Sequence, residues 1–173
     1  MREGSRSDRH QSLRAQAALL RFFHFPLEFR MRTILFRLIG ILEIAGGLYG
    51  VGAMLRHLLP LGSHDSIVAL IGLALFGFVL AAGVQLVDGS ERGVRMSSWA
   101  QLLQIPLLAT PIFSYALHCG AYFNLETTAH LVRPWLSWNF GTQGFALAST
   151  GPSVSRFGLN LLALLSWLVL KLR

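Results

Sequence analysis

The sequence is poor in charged residues and in cysteine. Only 13% of its 173 residues are Asp, Glu, Lys or Arg, whereas about 25% are charged in ordinary soluble domains. Cys119 is the single cysteine, which excludes an internal disulfide and a thiolate metal cluster. Hydrophobic residues make up 53% of the chain, and the mean hydropathy is +0.53. This composition indicates an integral membrane protein.

The sequence also lacks the motifs of known catalytic and nucleic-acid-binding classes. It contains no nucleophile-elbow serine, H-E-x-x-H motif, phosphate-binding glycine loop or pair of intramembrane aspartates. Its histidines match no compact metal motif. The 15 basic residues, against eight acidic ones, crowd the N-terminus and the segment ends rather than one folded polar face. We therefore expect no enzyme activity, cofactor, metal or nucleic-acid partner.

Charge distribution divides the chain into two predicted parts, a basic cytoplasmic segment at 1–32 and a transmembrane domain at 33–173. The first part is rich in arginine. Within it, Leu13–Phe25 is loosely amphipathic and could form a helix on an anionic membrane surface. Two alternatives are a basic tail that only sets orientation and an over-extended start, with Met31 as the native first residue.

Four apolar segments predict transmembrane helices, since a span needs about 20 residues. They are Thr33–Leu59, Ile67–Val87, Met96–Cys119 and Val154–Leu172. Lys and Arg accumulate on one side of these segments, which predicts that both termini are cytoplasmic. The expected fold is an all-α, four-helix transmembrane bundle that crosses a bacterial-type inner membrane several times.

The predicted outer loop, at about 120–153, is rich in aromatic residues. Leu136, Trp138 and Phe140 alternate with polar Ser137 and Asn139, which is the period-two pattern of a strand, and a turn and a second short strand follow. The sequence predicts a small extracytoplasmic β-hairpin between helices 3 and 4. An aromatic loop at the membrane interface is the alternative.

A carboxyl group lies in the middle of the first predicted span, at Glu43. An acidic residue at mid-membrane depth costs about 2.5–3.5 kcal/mol on insertion scales, so it persists only where it faces protein or a polar cavity. Gly40, Gly47 and Gly50 share its helix face, and glycines let a second helix approach closely. We therefore expect Glu43 to point into the bundle.

Other polar residues form a candidate intramembrane site with Glu43. Gln101, Gln104 and Tyr115 share one face of the third predicted helix, and helical rise places Asn160 of the fourth at nearly the same depth as Glu43 and Gln104. One interpretation is a polar clamp, since interhelical hydrogen bonds contribute only about 0.6 kcal/mol each. The other is a ligand or proton site.

These features favour a non-enzymatic membrane protein that acts as an accessory or interaction subunit. Its expected partners are the lipid bilayer and another membrane protein. The alternative is binding or transport of a small apolar, lipid-like or proton-coupled solute through a site near Glu43. A tightly packed centre favours the accessory role, whereas a wide polar cavity that reaches Glu43 favours the alternative.

Overall fold

The computed structural model describes residues 4–59, 64–128, 131–141, 144–148 and 151–172, and its side chains are described from residue 31 onward except at 64, 65 and 131–133. The chain divides into two compact units, Met1–Leu35 and Phe36–Arg173. The side chains of 1–30 lie outside the described part, so the surface helix at Leu13–Phe25 stays a prediction. All sites below belong to the second unit.

Four helices are present in the described residues: α1 (Gly4–Leu58), α2 (His64–Val87), α3 (Glu91–Gln104) and α4 (Leu161–Lys171). Two segments of α1 and α2 are long and apolar enough to cross a membrane, Met31–Leu58 and Ser66–Val87. They coincide with the first two predicted spans. Helices α3 and α4 have 14 and 11 residues, which is too short for a span.

The two span-length segments expose apolar side chains. Only 39% and 33% of their most apolar windows are buried, whereas the core helix of a soluble protein is mostly buried. The large exposed residues include Ile34, Leu38, Ile41, Leu48, Leu55, Ile67, Leu70 and Ile71. Large exposed apolar surfaces mark contact with a membrane or with protein.

The rest of the chain forms a six-stranded antiparallel sheet in the order β4-β3-β6-β1-β2-β5. Its strands are β1 (Pro106–Ala109), β2 (Ser114–His118), β3 (Ala121–Thr128), β4 (Leu131–Phe140), β5 (Gly144–Ala148) and β6 (Arg156–Asn160). The all-α prediction is therefore wrong, and so is the four-helix transmembrane bundle.

The third predicted span fails at Pro106. Helix α3 ends at Gln104, and β1 begins at Pro106. Proline has no N–H with which to continue the hydrogen bonds of a helix interior. The apolar run beyond Pro106 instead forms β1 and β2. The predicted span Met96–Cys119 is therefore divided between a short helix and two strands.

The fourth predicted span fails at Asn160. Strand β6 ends there, and the Asn160 side chain caps α4 by accepting hydrogen bonds from the backbone N–H groups of Leu162 and Ala163, at 3.1 and 3.2 Å. Asparagine is a preferred N-cap residue because its side chain satisfies the first free amides of a helix. The residue interpreted as a polar group inside Val154–Leu172 marks a helix start.

The predicted hairpin is also wrong. The residues of its two arms do form strands, β4 and β5, but these strands lie at opposite edges of the sheet. Strand β4 pairs with β3, and β5 pairs with β2. The period-two alternation correctly indicates extended structure, but it carries no information about which strand is the neighbour.

Close backbone contacts hold α1 against α2. A Cβ atom added at Gly83 would lie 2.7 Å from the carbonyl oxygen of Gly40, and one added at Gly47 would lie 2.8 Å from Leu80 Cβ. Small residues permit this approach between apolar helices. One buried cluster, which includes Phe76 and Leu117, joins the helices to the sheet. A second cluster joins Ile39, Leu86, Val94 and Leu170.

Candidate functional site

The Glu43 carboxyl group is buried between α1 and α3. Its side chain is 1% exposed. Ser97 Oγ donates a hydrogen bond to Glu43 Oε1 at 2.6 Å, and Gln101 Nε2 donates to the same oxygen at 2.8 Å. Ser97 and Gln101 are four residues apart on α3, so helix geometry places both donors on one face. The contact joins two helices through a single carboxyl oxygen.

The second carboxyl oxygen of Glu43 faces a different environment. Oε2 is buried and has no hydrogen-bond partner among the described residues. Glu43 lines a cavity of about 20 Å³, a volume sufficient for one water molecule. The other polar residues that line it are Gln101, Gln104, Cys119 and Ser166. A water molecule there would have polar partners, as buried waters require.

The turn between β2 and β3 belongs to the sheet and packs against the Glu43 site. Cys119 Sγ donates a long hydrogen bond to the backbone carbonyl of Glu43, at 3.9 Å. Gly120 has φ +85°, a conformation that favours glycine. A Cβ atom added at Gly46 would overlap the backbone nitrogen of Gly120. The turn therefore packs against the middle of the Met31–Leu58 segment at the level of Glu43.

The structure brings together three of the five candidate site residues: Glu43, Gln101 and Gln104. Gln104 lines the same cavity as Glu43, and its Nε2 donates to the carbonyl of Ala100 at 3.1 Å. The placement of these residues is observed, while any functional role for them stays a prediction.

The other two candidates serve different parts of the fold. Asn160 caps α4, and its Nδ2 is buried without a partner among the described residues. Tyr115 lies on β2, where its hydroxyl donates to the carbonyl of Leu103 at 2.7 Å and its ring packs edge-on against Phe145. The prediction that both belong to the Glu43 site assumes continuous third and fourth helices, which the structure does not have.

Sequence reasoning missed three residues of the site: Ser97, Cys119 and Ser166. A signal for Ser97 existed, because it precedes Gln101 by one helical turn on the polar face of α3. Cys119 reaches Glu43 through a turn between strands, and Ser166 through α4. Neither contact follows from local sequence, since both depend on how the sheet folds back onto α1.

A second buried polar pair connects β2 and β3. Asn124 and His118 are 2% and 8% exposed, and Asn124 Nδ2 lies 3.1 Å from His118 Nε2. When the amide nitrogen donates, the imidazole accepts and is therefore neutral. Burial lowers the pKa of His118 from its ordinary value of 6.5, opposed by the nearby Glu126 carboxylate and by the hydrogen bond to Asn124.

These two clusters consist, among the residues that the structure describes, of hydrogen bonds between buried side chains. In the described residues no group of three or more His, Cys, Asp or Glu side chains is arranged to hold a metal ion. Ser97 donates to Glu43, but a nucleophilic serine also needs an oriented base and space for a substrate. The cavity at Glu43 has room for water only.

The chain matches no family model, no curated protein and no solved structure. Its function must therefore be inferred from its own residues and their geometry.

Proposed function

We propose that the chain is a non-enzymatic membrane protein that acts as an accessory or interaction subunit in a larger membrane complex. In this proposal α1 and α2 cross a bacterial-type inner membrane, and the Glu43 contact is a polar clamp that fixes α1 against α3. The partner is another membrane protein, bound through the sheet.

The observation that carries the proposal is the position of strand β4. It forms one edge of the sheet and is ten residues long. Its last residue, Phe140, pairs with Ala121 beside the turn that packs on the middle of α1. If α1 spans the bilayer, this end of β4 lies at membrane depth. An open sheet edge is not tolerated against lipid, because lipid cannot satisfy its free backbone groups.

The side chains around this edge are suited to a protein contact. Phe123, Leu125, Leu136, Trp138 and Phe140 form an aromatic patch on β3 and β4, in which Phe123 pairs with Trp138 and Leu125 with Leu136. All five are exposed, Phe140 by 80%. Aromatic residues are enriched in the cores of protein interfaces. A partner that covers β4 would bury this patch and satisfy the strand edge.

The proposed orientation places both termini in the cytoplasm. Leu170, near the end of α4, is buried with Leu86 of α2 and Val94 of α3. The end of α4 thus lies at the level of the α2–α3 connection, where Arg92, Arg95 and Lys171 supply positive charge. Positively charged residues favour the cytoplasmic side.

Solute transport through Glu43 is less well supported. A lipid-like or apolar solute needs a pocket of hundreds of cubic ångströms, whereas the cavity at Glu43 measures about 20 Å³. The small volume favours the clamp.

Native mass spectrometry of the protein extracted in its own lipids tests the proposal. The wild-type chain is expected to carry a second protein in fixed stoichiometry, and Phe140→Ser is expected to lose it. Ile112→Ser is the matched control, since Ile112 is also 80% exposed but lies in the turn after β1, at the opposite end of the sheet. A bare chain or homo-oligomer, or equal loss from both variants, would contradict the proposal.

A further inference from the structure

A groove between α3 and α4 is separate from the Glu43 cavity. Its volume is about 290 Å³. Its polar lining comes from Glu91, Arg95, Ser98 and Lys171, and its apolar lining from Val94, Trp99, Leu102, Trp167 and Leu170. Two cationic groups and one carboxylate thus open onto a largely apolar and aromatic floor. None of these residues contributes to the Glu43 contact.

The charged groups sit at one end of the groove. Arg95 lies one turn into α3, and Lys171 is the last residue of α4. Both side chains are exposed. Lys171 Nζ lies 5.8 Å from the centre of the Trp167 ring, which is a cation–π distance. An arginine and a lysine at one site are the usual binding groups for a phosphate.

The aromatic lining distinguishes a lipid phosphate from a free one. Trp99, which is 59% exposed, and Trp167 lie within one to two helical turns of the cationic end. Tryptophan is enriched where a protein meets the headgroup region of a bilayer. From Arg95 the groove continues toward Leu102, so a ligand with a phosphate at one end and an acyl chain at the other fits its polarity.

We propose that this groove binds the headgroup of an anionic phospholipid, with Arg95 and Lys171 on the phosphate and the two tryptophans against the glycerol and upper acyl chains. The proposal requires that the chain lies in a membrane. It does not require a protein partner, so it can fail or succeed independently of the accessory role.

Native mass spectrometry of the purified full chain, titrated in detergent with phosphatidylglycerol or phosphatidylcholine, tests the site. We expect one phosphatidylglycerol to bind in preference to phosphatidylcholine. Arg95→Gln should weaken that binding at least about tenfold, the order expected for loss of a charge-assisted hydrogen bond. Arg92→Gln removes the same charge from an exposed residue of α3 outside the groove lining, and it should bind as the wild type does.

Inorganic phosphate tests whether the groove binds free phosphate instead of the phosphate of a lipid. If phosphate fails to displace phosphatidylglycerol, the ligand is the lipid, as proposed. If phosphate alone binds and displaces it, the groove is a site for free phosphate and the proposal is wrong. Equal binding of the two lipids, or equal loss in Arg95→Gln and Arg92→Gln, would also overturn it. Circular dichroism of both variants controls for folding.

Discussion

The Glu43 contact buries a polar group, whereas the aromatic patch on β3 and β4 exposes apolar side chains. The Glu43 carboxyl is 1% exposed, whereas Trp138 and Phe140 are 67% and 80% exposed. A protein in water favours the reverse, since burial of apolar surface drives its folding. In a bilayer the solvent is apolar, so polar groups must find their partners inside the protein. A buried carboxyl group beside exposed aromatic side chains is therefore the pattern expected of a chain that contacts lipid and a protein partner.

The largest expected effect comes from a substitution that separates α1 from the sheet. Gly46→Ala places a methyl group on the backbone of Gly120, and overpacking against backbone costs about 3 kcal/mol. Unfolding by SDS titration from mild detergent should show a loss of this order. Gly52→Ala is the control, because an added Cβ there meets nothing within 4 Å. Equal stability of the two variants would show that the turn does not pack on α1.

A smaller loss is expected when the carboxyl group itself is removed. Glu43→Ala leaves the donors of Ser97 and Gln101 buried without their acceptor, at a cost of about 2 kcal/mol. Glu43→Gln keeps an oxygen in the Oε1 position, so its free energy of unfolding should stay within about 1 kcal/mol of the wild-type value. The same SDS titration measures both.

The two Glu43 variants also separate a clamp from a functional site. A clamp predicts that Glu43→Gln still assembles with the partner, because the hydrogen bonds from Ser97 and Gln101 remain. Normal folding of Glu43→Gln with loss of assembly would instead indicate that the carboxyl group has a role beyond packing.

The smallest effect is a dependence of stability on pH through His118. Burial lowers the pKa of His118 below 6.5 in the folded protein, while an unfolded chain titrates near the ordinary value. The unfolded state therefore binds more protons between the two values, and stability falls as pH drops below 6.5 toward the folded pKa. His118→Gln should flatten this part of the profile of SDS midpoint against pH.

The sequence predicted the parts of the fold that depend on uninterrupted local pattern. The first two predicted spans correspond to segments of α1 and α2, where a long apolar run is interrupted by neither a proline nor a helix-capping residue. The sequence places Gln101 in one candidate site with Glu43, and the structure joins the two by a hydrogen bond, whereas Asn160, expected at the depth of Glu43, caps α4. Helix formation in these two segments needs no knowledge of distant neighbours.

The rest could not be predicted because short apolar runs fit either a strand or a buried helix. Pro106 and Asn160 end and begin helices, yet in the sequence each lies inside an apolar segment that predicts a continuous helix. Strand β3 pairs with β6, and the paired residues Thr128 and Arg156 are 28 positions apart in the sequence. This pairing is a long-range property. So is the approach of Cys119 to Glu43.

Site-specific photocrosslinking in the native membrane tests the central claim most directly. A photoreactive amino acid replaces Phe140 in one variant and Ile112 in another, two positions of equal exposure at opposite ends of the sheet. The account predicts one discrete protein adduct from residue 140 and none from residue 112. Adducts with lipid alone from residue 140, or the same protein adduct from both positions, would contradict it.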